Sequence, residues 1–295
     1  MKLIHLTDPH FVPAGETLYG RDPQVAMAAA VADINRHHAD ADLVVITGDL
    51  THWGEAEAFA QLAETLAPLE PPPQLLIGNH DKREVFSEHF PDQPLDADGF
   101  VQSVQQTSVG RFLFLDTNLT GTHAGWYCAT RRAWLAQQLA ATADADEPVF
   151  LFMHHPPFKI GLAPLDRISL QEPETFAEVV RPHANRIRHL FFGHIHRPLS
   201  GSWLGIPVSS LRALNHQCWL DFANQGEIAG SFEPPAYAVV LIDEDSVIVH
   251  THDFLDDSPK FSLRNSPVED WAVRSGHSNA KAAPRKPTLE GVSDQ

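Results

Sequence analysis

The sequence has little cysteine, little positive charge and no long apolar run. Only Cys128 and Cys218 are present among 295 residues, which excludes a disulfide framework and favours a reducing compartment. No apolar run approaches the roughly 20 residues that a transmembrane helix needs, so no membrane association is expected. The 21 Lys and Arg residues against 38 Asp and Glu give a formal net charge of −17, which argues against a nucleic-acid partner bound through a basic face. The N-terminal segment lacks a signal-peptide pattern, so a cytoplasmic location is expected.

Histidine, in contrast, is abundant. The chain has 18 of them, and histidine is both the commonest metal ligand and the side chain that titrates nearest neutrality. Because 43% of the residues are apolar, the chain can also build a large core, and global disorder is excluded. The composition therefore raises the question of whether the histidines are scattered or gathered at one site.

Strand-like runs alternate with helical patterns, which indicates an α/β fold with largely parallel strands. A first helix is predicted to begin at Pro23 after an Asp22 cap. Continuous apolar runs such as residues 149–153 are typical of sheets buried on both faces. The other predicted strands are residues 3–7, 42–47, 74–77, 111–115 and 188–192, and the other helices are 55–66, about 130–141 and 174–183.

The pattern changes after about residue 201. The runs 206–211, 237–242 and 247–251 are predicted to be antiparallel strands that close a second sheet. We expect one domain over residues 1–275, with 201–255 completing that sheet and offering oligomer contacts. Residues 276–295 are rich in Ser, Lys, Ala and Pro, and we expect them to form a flexible tail.

Metal-competent side chains follow five of the predicted strands. Because functional residues gather at the carboxyl ends of strands in α/β sheets, we expect them to lie close together. Carboxylate, amide and imidazole donors without Cys suit Zn, Mn, Fe or Co and argue against an iron–sulfur cluster. The pattern predicts a two-metal site. The five groups are Asp8 and His10; Gly48 and Asp49; Gly78, Asn79, His80 and Asp81; His154 and His155; and Gly193, His194 and His196.

These motifs, in this order, resemble the calcineurin-like metallophosphoesterases. The likeness runs from Asp8 to His196 as D-x-H, G-D, G-N-H-D, a histidine in M-H-H-P, and G-H-x-H. Within that superfamily the chain is most similar to bacterial class III cyclic-nucleotide phosphodiesterases and the related glycerophosphodiesterase. The resemblance implies a four-layer α/β/β/α sandwich of two mixed β-sheets flanked by helices, with a di-metal site at the strand C-terminal ends. It also implies self-association into a homo-oligomer.

The resemblance further implies a role for each motif residue. His80 would contact the substrate together with Asn79 and would act as the general acid or electrostatic stabiliser of the leaving group. His155 matches no ligand position and is expected to pack behind the site. Asp81 is expected either to orient the His80 ring or to cap the helix that follows it. One metal would be held by Asp8, His10, Asp49 and His196, and the other by the bridging Asp49 with Asn79, His154 and His194.

Loops around the metals are expected to set substrate specificity, and they comprise residues 11–21, 52–53, 120–126, 158–168 and 215–237. His52 and His216 could face this cleft, and ordinary surface or packing roles are the alternative. Trp53 and Trp126 could stack on a nucleobase, and burial in the core is the alternative. Lys82, Arg83 and Arg197 could help to bind substrate or could simply be solvated.

The implied chemistry is phosphodiester hydrolysis. Two metals about 3.5–4 Å apart lower the pKa of a shared water, so that a bridging hydroxide attacks phosphorus, and they neutralise the phosphoryl oxygens. Two divalent ions, two carboxylates and one hydroxide leave a small positive charge, which favours small diester monoanions. We expect 3′,5′-cyclic nucleotides such as cAMP, glycerophosphodiesters, or both as substrates. A phosphomonoesterase or nucleotide pyrophosphatase is an alternative on the same scaffold, and a non-catalytic metal-binding scaffold protein is an alternative of another class.

Overall fold

The computed structural model describes residues 1–141 and 147–261. The chain divides into two units, Met1–Leu255 and Asp256–Gln295, and every strand and helix among the described residues lies in the first. The expected flexible tail, residues 276–295, lies outside the described residues. Within the described ranges, no helix combines the length and the apolar character needed to span a membrane.

The predicted strands and helices form close to their expected positions. Among the described residues the strands are β1 Lys2–Leu6, β2 Leu43–Thr47, β3 Pro73–Leu76, β4 Ser103–Thr107, β5 Gly110–Phe114, β6 Gly125–Trp126, β7 Val149–Met153, β8 Leu170–Gln171, β9 Ile187–Phe192, β10 Leu199–Trp203, β11 Ile206–Ser210, β12 Gln217–Cys218, β13 Gly230–Ser231, β14 Tyr237–Ile242 and β15 Val247–His252. The helices are α1 Pro23–His38, α2 Ala56–Leu66, α3 Arg83–His89, α4 Ala129–Ala140, α5 Ala163–Asp166 and α6 Pro173–Val180, followed by a 3₁₀ helix, Arg181–Arg186.

Two mixed sheets form the centre of the first unit. The first has the order β15-β14-β1-β2-β3 and the second has the order β10-β11-β9-β7-β5-β4. The strands β1, β2 and β3 are parallel, as are β5, β7, β9 and β11, and the other strands of these two sheets are antiparallel to their neighbours. The expected pair of mixed sheets is confirmed.

The two strands nearest the C-terminus belong to the first sheet, so their predicted place in the second sheet is wrong. Strand β14 pairs antiparallel with β1, with Leu3 opposite Val240, and β15 extends the sheet beyond it. Strand β11 does join the second sheet, where it runs parallel to β9. Its antiparallel partner is β10, a strand that was not predicted from the sequence. Alternating burial shows which side chains of a strand are covered but not which strand lies beside it.

Period-two alternation builds the layers. In β1, Ile4 packs with Met27 of α1 and Phe59 of α2, whereas Leu3 points the other way and packs with Phe152 of the second sheet. The outer face of the second sheet is covered in the same manner by α4 and α6. The result is the predicted four-layer α/β/β/α sandwich.

Two histidines belong to the core between the sheets. His5 lies 2.9 Å through Nε2 from Thr47 Oγ1, and His189 lies 2.8 Å through Nε2 from Ser209 Oγ. Both rings pack against Phe191. Burial lowers the pKa of His5 to about 3 and the pKa of His189 to about 4, so both imidazoles are neutral in the folded protein at neutral pH.

These two groups make the fold sensitive to acid. In the unfolded chain a histidine has a pKa of about 6.5, so between about pH 6.5 and 4 the unfolded state binds two protons that the folded state does not. Stability is therefore full above this window and falls as the pH drops, by about 1.4 kcal/mol per pH unit for each proton. Urea unfolding from pH 7.5 to 4.5 should show a shallower loss in the double variant His5→Gln/His189→Gln than in the wild type. The exposed His37→Gln is the control, and equal slopes for all three proteins would contradict the assignment.

Candidate metal centre

All seven predicted metal ligands lie at one edge of the sandwich. They follow the C-terminal ends of β1, β2 and β3 in the first sheet and of β7 and β9 in the second. Six of the seven are buried, and the amide of Asn79 is partly exposed. The structure therefore brings together Asp8, His10, Asp49, Asn79, His154, His194 and His196.

The first predicted set converges on one point. One donor atom from each of Asp8, His10, Asp49 and His196 lies within 4.8 Å of the others. The Nε2 atoms of His10 and His196 are 3.0 Å apart. His196 Nε2 is also 3.3 Å from Asp8 Oδ1, and His10 Nε2 is 3.6 Å from Asp49 Oδ2. Two carboxylates and two imidazoles thus offer donors to a common centre.

The second set surrounds the other side of Asp49. His154 Nε2 lies 3.4 Å from Asp49 Oδ2 and 3.2 Å from Asn79 Oδ1. His194 Nδ1 lies 3.0 Å from the same amide oxygen, and its buried Nε2 has no hydrogen-bond partner among the described residues. Because Asp49 contributes to both sets, its carboxylate lies between two groups of donors.

The protonation states suit cation binding. Burial raises the pKa of Asp49, but the neighbouring His154 and His80 lower it further, and the net pKa is well below the usual value. Burial lowers the pKa of His10 well below its usual value and the pKa of His194 to about 3, so their lone pairs are available. For His154 burial is outweighed by Asp49 and Asp8, which raise its pKa to about 9. A charged His154 and a metal ion are thus alternative ways to neutralise the same carboxylate.

The backbone is strained where the donors are. A non-glycine residue with positive φ costs on the order of 1–3 kcal/mol, and such residues collect at functional sites. Gly78 shows how closely the loops approach one another, because a Cβ there would overlap Asp49 Oδ1. Five predicted ligands have positive φ, namely Asp8 (51°), His10 (51°), Asp49 (48°), His194 (68°) and His196 (49°).

Asp81 has neither of its two predicted roles. Its carboxylate accepts hydrogen bonds from the backbone N–H groups of Leu50, Thr51 and Gly78, each at 2.9 Å, and α3 begins without a side-chain cap. It therefore fastens the loop after β2 to the loop after β3. Burial and the neighbouring Asp49 raise the pKa of Asp81 to about 6.

A buried ion-pair network, which the sequence did not reveal, supports the same loop. Asp116 is fully buried, 2.8 Å from Arg83 Nε and 3.3 Å from Arg131 Nη1. Beside it, Asn118 donates from Nδ2 to the carbonyl of Gly78 at 2.6 Å. Arg83 is consequently paired within the protein and only partly exposed, so it is not a freely solvated cation.

Removing Asp116 should be costly. The variant Asp116→Leu leaves the guanidinium of Arg131 buried without its carboxylate partner, so we expect the free energy of unfolding to fall by about 3–5 kcal/mol in urea titrations. The control is Asp40→Leu, which removes the exposed ion pair with Lys2 and should leave stability unchanged within error. Similar stabilities for the two variants would contradict a supporting role for the network.

A cavity of about 740 Å³ opens above the cluster, and His80 lines it. The backbone N–H of His80 donates to Asp49 Oδ1 at 2.9 Å, and its Nδ1 lies 2.7 Å from the carbonyl oxygen of His52. The ring Nε2 lies 4.0 Å from Asp49 Oδ2. His80 is thus held beside the shared carboxylate.

More histidines line this cavity than the motifs predicted. His52 and His216 both face it, and His52 Nδ1 lies 3.1 Å from His10 Nδ1. His123, which no motif marked, contacts Asn79 Nδ2 through Nδ1 at 3.1 Å. His155 is buried behind His154 and lies 2.8 Å from Thr117 Oγ1, consistent with its expected packing role, and its donor atom lies near those of His154 and His194. Only the position of His123 in a loop expected to border the metals could have pointed to it.

Of the two tryptophans considered for stacking on a nucleobase, Trp53 lines the cavity and Trp126 does not. Trp53 lines the cavity with 57% of its surface exposed, so burial in the core is excluded for it. Trp126 is not part of the cavity lining, and its Nε1 lies 3.4 Å from Glu172 Oε2.

Comparisons with known proteins find related sequences and a similar fold. The family model described as calcineurin-like phosphoesterase matches residues 1–198. A probable cyclic nucleotide phosphodiesterase of Rhodopseudomonas palustris is 47% identical over 90% of this chain and 97% of its own length. A glycerophosphodiester phosphodiesterase of Enterobacter lignolyticus is 30% identical over 74% of this chain and 78% of its own. The fold is similar to that of a dimetal phosphatase from Danio rerio, with a TM-score of 0.65 and 14% identity over 86% of this chain and 96% of that one. The chain belongs to the calcineurin-like phosphoesterase family.

Proposed function

We propose that this protein is a metal-dependent phosphodiesterase that hydrolyses small phosphodiesters: 3′,5′-cyclic nucleotides such as cAMP, glycerophosphodiesters, or both. The observation that carries the proposal is the placement of two donor sets around the shared Asp49 at the floor of one cavity. The names of the two relatives, a probable cyclic nucleotide phosphodiesterase and a glycerophosphodiester phosphodiesterase, support both substrate classes. A homo-oligomer, a cytoplasmic location and the lack of nucleic-acid or membrane partners stay predictions from the sequence.

Each donor set fits a metal ion. Four donors of mixed oxygen and nitrogen chemistry suit Fe, Mn, Zn or Co, and availability decides among them. Two bound ions would lower the pKa of water and neutralise the charge that develops on the phosphoryl group. We assign one ion to Asp8, His10, Asp49 and His196, and the other to Asp49, Asn79, His154 and His194.

His80 is the proposed acid or electrostatic stabiliser of the leaving group, and Asn79 beside it contributes to substrate binding. The carbonyl of His52 can only accept, so Nδ1 of His80 carries a proton and donates to it. A proton given to the leaving alkoxide must therefore come from Nε2, the ring atom on the Asp49 side. The His52 carbonyl keeps the ring in one orientation before and after this transfer.

Loss of the shared carboxylate should abolish turnover. For Asp49→Ala we expect no measurable hydrolysis of cAMP, cGMP, 2′,3′-cyclic nucleotides, glycerophosphoethanolamine or bis-nitrophenyl phosphate, together with loss of bound metal by elemental analysis, because both donor sets lose a member. The remote, exposed Asp245→Ala should keep full activity and metal content. Retained activity of Asp49→Ala on any of these diesters would contradict the proposed centre.

Loss of His80 should depend on the leaving group. We expect His80→Ala to retain its metal but to lose about 10²–10⁴-fold in kcat on alkyl diesters, whose alkoxides need a proton. The loss on nitrophenyl diesters should be much smaller, because nitrophenolate leaves without one. Equal losses on both diester types would contradict an acid role.

A further inference from the structure

Trp53 is an exposed aromatic side chain on a firmly held loop. Thr51, two residues before Trp53, donates to Asp81 through both its backbone N–H and its hydroxyl, each at 2.9 Å. The backbone N–H of His52 donates to the carbonyl of Phe11 at 2.8 Å, and the side chain of His52 is buried. The loop backbone is therefore held in place with Trp53 57% exposed, although exposing an apolar ring to water is unfavourable. A bound ligand would account for this arrangement.

The indole lies at the same cavity as the metal centre. The ring centroids of Trp53 and His52 are 4.2 Å apart, and the ring of His52 stacks on the ring of His80 with 4.6 Å between centroids. A substrate with its phosphate at Asp49 and its leaving group near His80 would therefore extend toward Trp53.

Further apolar surface lines this cavity away from the metal donors. Phe232 has 63% of its surface exposed, and Ile228 and Tyr19 are exposed as well. Phe232 is held in place by Arg21, whose guanidinium lies 4.7 Å from the ring centroid and donates to its carbonyl at 2.8 Å. The cavity thus combines a polar floor with an apolar, aromatic mouth, which fits a ligand with an anionic end and a flat apolar end.

We propose that Trp53 stacks on the base of a cyclic nucleotide and makes nucleotides better substrates than glycerophosphodiesters. The inference rests on the proposed phosphodiesterase function and names the substrate class within it. A glycerol or ethanolamine group has no flat face to stack on an indole, whereas every nucleobase has one. The cavity volume of about 740 Å³ lies within the range of small-molecule sites.

A quaternary ammonium group is the competing occupant, because tryptophan also binds cations over its face. Recognition of such a cation uses a cage of several rings. Among the described residues, the ring of His52 is the only one in contact with the ring of Trp53. An indole that is 57% exposed and has one ring neighbour suits a stacked base better than an enclosed cation.

The test compares substrates on the metal-loaded full-length enzyme. For Trp53→Ala we expect kcat/KM for cAMP to fall about tenfold, mainly through KM, and kcat/KM for glycerophosphoethanolamine to change by less than about twofold. Trp53→Phe should recover most of the loss because it restores a flat ring. The matched control is Trp219→Ala, since Trp219 is 55% exposed and is not part of the cavity lining, and it should change neither value.

The other outcomes are distinct. An equal loss on both substrates, or no loss on cAMP, would overturn the stacking proposal while leaving the phosphodiesterase intact. A selective loss on glycerophosphocholine would assign Trp53 to a cation instead. If the wild type hydrolyses none of these diesters, the proposed function fails, and calorimetry of 5′-AMP binding then decides the stacking separately: Trp53→Ala must weaken it about tenfold, and unchanged affinity would overturn the proposal.

Discussion

The carboxylate of Asp49 is buried where the strand ends of two sheets meet. An ionised carboxylate in such a place is costly unless positive charge or donors surround it. His10 and His154 approach it from two sides, and the backbone N–H of His80 donates to it. Gly78, which has no side chain, lets the loop after β3 approach the Asp49 carboxylate closely, and the hydrogen bonds of Asp81 hold the loops after β2 and β3 around it. The loops at this edge of the sandwich are thus arranged around the negative charge of the Asp49 carboxylate, which bound cations would neutralise.

The substrate adds a second electrostatic constraint. A phosphodiester is an anion, and the chain carries a formal charge of −17, so its overall field opposes binding. Three guanidinium groups near the site are engaged within the protein: Arg83 with Asp116, Arg167 with two loop carbonyls, and Arg197 with Glu233 and the carbonyl of Cys218. Under the proposed function, metal ions held by Asp8 and Asp49 would provide the positive charge that attracts the substrate.

The positions of strands and of motif residues could be predicted from the sequence, but contacts between distant parts of the chain could not. Short apolar runs located the strands, and the motifs that follow them indicated that Asp8 through His196 share one edge, because both signals lie within a few residues of chain. The partner of β14 depends on which sheet edge is open, which its own residues do not encode. The same limit applies to Asp81, because its partners Leu50 and Thr51 belong to another loop. It also applies to Trp53, because its exposure depends on how that other loop is held in place.

Anomalous diffraction from crystals of the manganese-loaded protein would locate the metal ions. We expect two peaks about 3.5–4 Å apart on either side of the Asp49 carboxylate. One should be bounded by His10 and His196, and the other by His154 and His194. A single peak, or peaks among the ring nitrogens of His10, His52 and His80 without Asp49, would contradict the proposed two-metal centre.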